Sequence, residues 1–270
     1  MKKLVLTSLM AVFAVSGAHA ANVINNNPLY RPEAGQFYSV TSVDSSTEDT
    51  KVVGLNEEFG YGITNRLAVA VSTSAAQADW FDATLWNDVH FGLNLRALDM
   101  GNWKGDIYAS YGVEPIWGHN VNMVPGKKNV DFLDKDLTAY DWTVGVRGGY
   151  VADMWTVAGH VAFGYLNSES FNWNDEGIHT LAAGVDGQLV LNQYWNLVAG
   201  AEYTTILDDK IDGVKVEHPG VWTAKFGANF NFDSDKFLGA YVTKEMSHEE
   251  AGKWEVADGF GFGATFGIQF

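Results

Sequence analysis

The nine residues from Phe262 to Phe270 alternate without a break. Phe262, Ala264, Phe266, Ile268 and Phe270 fall on one side, and Gly263, Thr265, Gly267 and Gln269 on the other. A period of two is that of a β-strand. A strand with a greasy face, a small or polar face and a terminal aromatic is how a transmembrane β-barrel closes. Glycines suit a crowded barrel interior and tight turns, and the chain has 29 of them.

The same alternation recurs in runs near 36–43, 51–64, 66–76, 84–97, 105–116, 138–151, 154–166, 178–191, 195–206, 220–232, 237–245 and 254–270. Most exceed the roughly 9–11 residues that cross a bilayer at a tilt of about 45°. The connections between them alternate in length. Short ones are Thr64-Asn65-Arg66, 98–104, Ala152-Asp153, 192–194 and 233–236; long polar ones are 44–50, 77–83, 117–137, 167–177, 207–219 and 246–253. Barrels of the outer-membrane type have short periplasmic turns, longer outer loops and an even strand number. The expected fold class is therefore all-β, a closed antiparallel transmembrane barrel of about twelve strands over 36–270. Residues 21–35, with Asn25–Asn27 and two prolines, read as a periplasmic lead-in or a partial plug.

The faces follow from the phase. On 84–97, Leu85, Val89, Phe91, Leu93 and Leu95 are expected to meet lipid, and Asp88, His90, Asn94 and Arg96 the lumen. On 138–151, Trp142, Val144, Val146 and Tyr150 point out while Asp141, Thr143 and Arg147 point in. Val185 and Phe226 point out; Asp186, Gln188, Glu202 and Lys225 point in. A lipid-facing Lys or Arg at mid-bilayer costs about 2–4 kcal/mol, which fixes the phase. The expected pore-lining set is Asp88, His90, Arg96, Glu114, Asp141, Arg147, His160, Asp186, Glu202 and Lys225. Its acidic excess predicts a mild preference for cations. Ion pairs that brace the wall are the other reading of the same residues. The 117–136 loop, with Lys127, Lys128, Asp131, Asp134, Lys135 and Asp136, is a candidate constriction or an exposed cap.

One hairpin breaks the pattern. Leu55, Phe59, Tyr61 and Ile63 share a face with Glu57. A bulge that shifts the phase is the favoured explanation; a pairing partner for Glu57, or different strand boundaries, are the alternatives.

Aromatics cluster at strand ends. Tyr150, Trp155, Trp195, Phe232 and Phe270 lie beside the short turns, and Trp142, Tyr165, Tyr203, Trp222 and Trp254 toward the long loops. Two girdles are the expected anchors at the two membrane–water interfaces.

Composition narrows the function classes. The chain has no cysteine, so disulfides and thiol chemistry are excluded. Lys2 and Lys3, the apolar run Leu4 to Val15 and the Ala18-His19-Ala20 ending form a secretory signal peptide over residues 1–20. Removing Lys2 and Lys3 from the 17 basic residues leaves 15 against 33 acidic ones, a net charge of −18. That argues against nucleic acid as a partner, because phosphate binding needs a basic footprint. Solvated loops account for the acidity, as would divalent cations bridging loop carboxylates to lipopolysaccharide. No G-x-S-x-G or H-x-S-N-G nucleophile motif is present. Asp208-Asp209 and Asp175-Glu176 are similar to the acidic pairs of omptin-like surface proteases, but such pairs are ordinary in acidic loops. The chain is not expected to be an enzyme, and no cofactor or metal is called for.

The run ending at Phe270 resembles the C-terminal signature of Gram-negative outer-membrane proteins. That resemblance implies an outer-membrane location, contact with outer-membrane lipid and recognition of Phe270 by the barrel-assembly machinery. The segment Glu58-Phe59-Gly60-Tyr61-Gly62-Ile63-Thr64-Asn65-Arg66-Leu67 is similar to the second-strand turn of a family named for phenol meta-pathway operons. Members of that family are outer-membrane transport proteins; the resemblance carries no ligand residue. The expected function is a passive porin-like channel for small solutes. The alternatives are a non-conducting surface barrel whose acidic loops bind lipopolysaccharide, divalent cations or a partner, and a lipid-modifying enzyme.

Overall fold

The computed structural model describes residues 27–47, 53–78, 83–114, 139–168, 177–208, 210–211, 214–215, 220–249, 253–256 and 259–270. In chain order its strands are β1 (Phe37–Ser46), β2 (Val53–Gly62), β3 (Leu67–Ala78), β4 (Ala83–Met100), β5 (Trp103–Glu114), β6 (Ala139–Val151), β7 (Trp155–Ser168), β8 (Ile178–Val190) and β9 (Trp195–Ile206). There follow β10 (Lys210–Ile211), β11 (Val214–Lys215), β12 (Gly220–Asn231), β13 (Lys236–Glu249), β14 (Lys253–Val256) and β15 (Gly261–Gln269). Each wall strand pairs antiparallel with the next, β9 with β12 and β13 with β15, and β15 returns to β1. The result is a closed twelve-stranded antiparallel barrel. Strands β10 and β11 form a separate two-stranded hairpin outside the wall sheet.

The terminal aromatic completes the closure. Phe37 N–H donates to the Phe270 carbonyl at 2.9 Å, Phe270 N–H donates back at 3.0 Å, and the two rings stack. The last expected strand, 254–270, divides in two. β14 folds back on the loop end of β13, and the wall strand begins only at Gly261.

The short turns are held by their own polar side chains. Asn192 Oδ1 accepts from the N–H groups of Tyr194 and Trp195, and Thr64 Oγ1 from those of Arg66 and Leu67. The β4–β5 hairpin turns on Gly101-Asn102, where Gly101 takes a φ of 58° as tight two-residue loops require.

Side chains follow the expected phase. Phe91, Leu93, Leu95, Val144, Val146, Val185 and Phe226 are exposed on the outer wall, while His90, Asn94, Arg96, Asp141 and Arg147 are buried inside. Trp103, Tyr150 and Trp155 form one aromatic chain beside the short turns, as do Trp195, Phe230 and Phe232. Toward the long loops, Tyr140, Trp142, Phe163 and Tyr165 form another, and Tyr203 meets Trp222. The wall thus presents an apolar band between two girdles, as a bilayer requires. The side chain of Trp254 lies outside the described residues.

The expected bulge near Glu57 is absent. β2 pairs in unbroken register with β1 and β3, and the register shifts fall at Ser74/Ala75 and Arg96/Leu98 instead. Glu57 therefore does face outward. Its carboxylate accepts from Ser39 Oγ at 2.6 Å and from Thr41 Oγ1, so the pairing alternative holds.

Candidate functional site: the lumen and the strap across its mouth

The inner wall carries polar pairs tied to neighbouring strands. Arg96 on β4 holds Asp106 on β5 through Nε and through Nη2, the latter at 3.3 Å. On β1 the Tyr38 hydroxyl donates to Glu58 of β2 at 2.8 Å. Asn229 on β12 donates to Asn196 on β9 at 2.7 Å. Lys225 on β12 places its ammonium 4.2 Å from the centre of the Tyr241 ring on β13, and Arg147 lies 5.2 Å from that of Tyr108.

Two pairs reach one strand further, and glycine makes that possible. His90 on β4 and Asp141 on β6 both stand opposite Gly112 of β5. With no side chain between them, His90 Nε2 comes within 2.9 Å of Asp141 Oδ2. A Cβ on Gly112 would land on both groups. The same arrangement recurs at Gly184 of β8, across which His160 Nε2 on β7 meets Glu202 Oε2 on β9 at 2.8 Å. His160 Nδ1 lies 3.3 Å from Asp186 Oδ2. Both imidazole nitrogens of His160 are thus engaged by carboxylates, which suits a brace better than a general base.

Of the ten expected lumen residues, His90, Arg96, Asp141, Arg147, His160, Asp186, Glu202 and Lys225 make these inner-wall contacts. Asp88 and Glu114 lie on β4 and β5, but their side chains are outside the described residues, as is the 117–136 loop. Sequence reasoning missed Tyr38, Glu58, Asp106 and Tyr108, all buried in the lumen. For Asp106 the signal was available: it alternates with the outward Ile107 and Trp103 sits at the turn. Asn94 is 2 % exposed with neither amide atom hydrogen-bonded to protein. Such a group asks for water or a polar solute.

The lumen is crossed at its turn end by residues 27–36, here called the strap. Arg147 Nη1 donates to the Pro28 carbonyl and Arg96 Nη2 to the Leu29 carbonyl, each at 2.7 Å. Asn27 Nδ2 reaches Thr156 on β7 at 3.3 Å, and the Tyr30 hydroxyl reaches Gln269 on β15 at 2.7 Å. Burial, with Glu33 and Asp235 nearby, pushes the Tyr30 phenol up, so it remains a donor. At its other end the strap joins the wall through Gly35 N–H to Gly62 O at 2.7 Å and Gly62 N–H to Gln36 O at 2.9 Å. In a ring of twelve, β7 stands opposite β1. The strap therefore runs from one wall to the far one.

Charged side chains also stand at the turn end. The backbone N–H of Asp235, aided by Lys236, holds the Asp233 carboxyl below the usual carboxylate range, and a hydrogen bond from Lys104 does the same for Asp99. At the loop end the inner wall changes character. Leu166, Ile178, Ile206 and Val221 are buried there on β7, β8, β9 and β12.

No family model matches the sequence, and no curated protein matches it. Solved structures do. An outer-membrane channel from Pseudomonas putida F1 is 13 % identical, with 89 % of this chain and 97 % of that one covered and a TM-score of 0.58. The translocator domain of the autotransporter NalP from Neisseria meningitidis is 13 % identical, with 98 % and 97 % covered and a TM-score of 0.54. The KdgM porin is 9 % identical, with 86 % and 99 % covered and a TM-score of 0.51. The chain has the fold of a bacterial outer-membrane barrel. At these identities the likeness speaks to architecture and leaves the use of the lumen to be argued from its own residues.

Proposed function

We propose that this barrel is a passive outer-membrane channel for small polar solutes whose periplasmic mouth is governed by the strap. One observation carries the reading: Arg147 and Arg96 grip the strap by two backbone carbonyls, and His90, Asn94 and Asp141 give the inner wall polar groups before it turns apolar at the loop end. Hydrogen bonds to main chain hold the segment across the lumen, with Pro28 and Leu29 buried beside them. Asn94, buried and unpaired with protein, supports a hydrated lumen. The mild preference for cations expected from the acidic residues of the sequence belongs to the same reading. The similarity of the Glu58–Leu67 turn to the phenol meta-pathway family is consistent with transport.

The same reading includes a signal peptide over residues 1–20, recognition of Phe270 by the assembly machinery, and loop contacts with lipopolysaccharide. No catalytic role or cofactor enters it. The braces His90–Asp141 and His160–Glu202 favour a second reading, a barrel too well filled to conduct. Planar-bilayer recording of the purified mature chain separates the two. Stepwise conductance with a reversal potential favouring cations is expected; a flat trace at all voltages would leave the closed barrel standing.

A further inference from the structure

The polar inner wall divides into a packed arc and a more open one. On β4, β5 and β6, Asn94, Arg96, Asp106, Asp141 and Arg147 are all buried. On β1, β8, β12 and β13, Asp44, Asp186, Lys225 and Tyr241 keep intermediate exposure, and the Asp186 side chain is 32 % exposed. A solute crossing the lumen meets this second arc. Lys225 of β12 stands opposite Gly200 of β9, and Gly200 stands opposite Asp186 of β8. The arrangement is that of His90 and Asp141 about Gly112 and of His160 and Glu202 about Gly184, with one difference. Across those two glycines the flanking side chains meet. Across Gly200 they do not. Asp186 turns Oδ2 to His160 Nδ1 at 3.3 Å and lays Oδ1 over Gly200, where a Cβ would collide with it. The Lys225 ammonium stays on the far side, 4.2 Å from the centre of the Tyr241 ring. Among the described residues it meets no carboxylate or carbonyl.

Tyr241 explains why the gap stays open. Its ring lies on Gly263 of β15, where a Cβ would strike it, and the other face attracts the ammonium through the ring quadrupole. Lys225 is thereby drawn toward β13 and away from Asp186. A ring face occupies one side of an ammonium that carries three donors. The charges acting on Lys225 are those of Asp186 and Asp44, and Asp44 already accepts from Asn56 Nδ2 at 3.2 Å. Opposite charges are therefore held apart over a glycine, on the exposed arc, each with hydrogen-bonding capacity left. A solute carrying a carboxylate beside an ammonium matches both. A simple anion would face the Asp186 carboxylate and a simple cation the Lys225 ammonium, so the site discriminates against either. With both faces of Tyr241 taken, a sugar ring finds no aromatic platform there.

We infer that Lys225 and Asp186, set apart over Gly200, form a subsite in the lumen for small zwitterions of the amino-acid type. The inference rests on the channel reading and adds a solute class to it. The solute carboxylate faces the Lys225 ammonium, and the solute ammonium faces Asp186 Oδ1. Tyr241 is a positioning residue that holds Lys225 clear of the carboxylate. Ion pairs on an exposed surface are weak. Weakness suits a channel, where a solute must bind well enough to enter and loosely enough to leave.

The test compares two isomers of equal mass, glycine, a zwitterion near neutral pH, and glycolamide, which is uncharged. Uptake of each, radiolabelled and dilute, is measured in phospholipid vesicles reconstituted with the mature chain. Both isomers pass the same strap, so their ratio reads the subsite. Glycine is expected to enter about fivefold faster, the upper range for one solvent-exposed ion pair, and its rate to saturate. Excess alanine should slow labelled glycine, whereas acetate or methylammonium should do so far less. Lys225→Met and Asp186→Asn should each abolish the difference between the isomers, and Lys225→Arg should keep most of it. Unheated gel migration checks that each variant is folded, and the competition experiments need no variant. Equal rates for the two isomers in the unaltered protein, or a glycine advantage that survives Lys225→Met, would overturn the subsite and leave the channel standing. Competition by acetate as strong as that by alanine would overturn it too, since it marks a plain anion site. Vesicles closed to both isomers would refute the channel reading and the subsite with it.

Discussion

Releasing the strap should open the barrel, and the size of the effect follows from one hydrogen bond. Arg147→Met keeps the aliphatic stem and deletes the donor to the Pro28 carbonyl. A hydrogen bond from a charged group contributes about 1.5–3 kcal/mol, and each 1.4 kcal/mol is tenfold in population. The unlatched fraction should therefore rise by about tenfold to a hundredfold. Arg147 also lies over Tyr108 on its own wall, but that contact does not touch the strap. Leu29, 4 % exposed, serves as the reporter. In a Leu29→Cys protein, reaction with a membrane-impermeant maleimide added from the turn end should be slow. Adding Arg147→Met should speed it by the factor above, and single-channel openings should lengthen in parallel. Deleting residues 27–35 should give the largest conductance of the series. If labelling and conductance are the same with and without Arg147, the strap is a fixed part of the wall and the gating argument fails.

Other expectations follow from the wall itself. Gly112→Ala should drive His90 from Asp141 and cost about 1–3 kcal/mol, the penalty for leaving buried polar groups unpaired, read as a lower urea midpoint in lipid vesicles. Phe226→Lys, on the outer band, should cost about 2–4 kcal/mol in the same assay, whereas an exposed change such as Ser234→Lys in a turn should cost little. Removal of Phe270 deletes a reciprocal pair of backbone bonds to Phe37 and should slow assembly, seen as unfolded chain in unheated gels of membrane fractions.

Much of the wall was legible because lipid imposes a strict rule. Every second residue had to be apolar, so Leu93, Val146 and Phe226 could be placed outside and Arg96, Asp141 and Arg147 inside from spacing alone. Glu57 was visible as the violation of that rule. The preference for a bulge arose from treating an outward carboxylate as too costly, and the hydroxyls that relieve the cost sit on another strand. Their closeness depends on the β1–β2 register, which places Thr41 opposite Glu57. The strap was harder to read. Nothing in Asn27-Pro28-Leu29-Tyr30 alternates, and its anchors Arg96 and Arg147 are far away in sequence and already had a role as wall charges.

The register also decides how far an inner-wall ion pair can reach, and this bears on whether the lumen conducts. Adjacent strands lie about 4.8 Å apart. Arg96–Asp106 and Tyr38–Glu58 span one such interval, and His90–Asp141 and His160–Glu202 span two, about 10 Å along the curved wall. None of these pairs joins strands from opposite sides of the ring. They stiffen arcs of the wall and lie flat against it over Gly112 and Gly184. The strap differs in kind, with bonds to β4, β6, β7 and β15 from a single short segment. Loss of a brace should therefore lower stability and leave conductance nearly unchanged, whereas loss of a strap anchor should raise conductance at modest cost in stability. Measuring both quantities for Gly112→Ala and Arg147→Met tests that division; a large conductance increase in Gly112→Ala alone would show that the braces, rather than the strap, close the barrel.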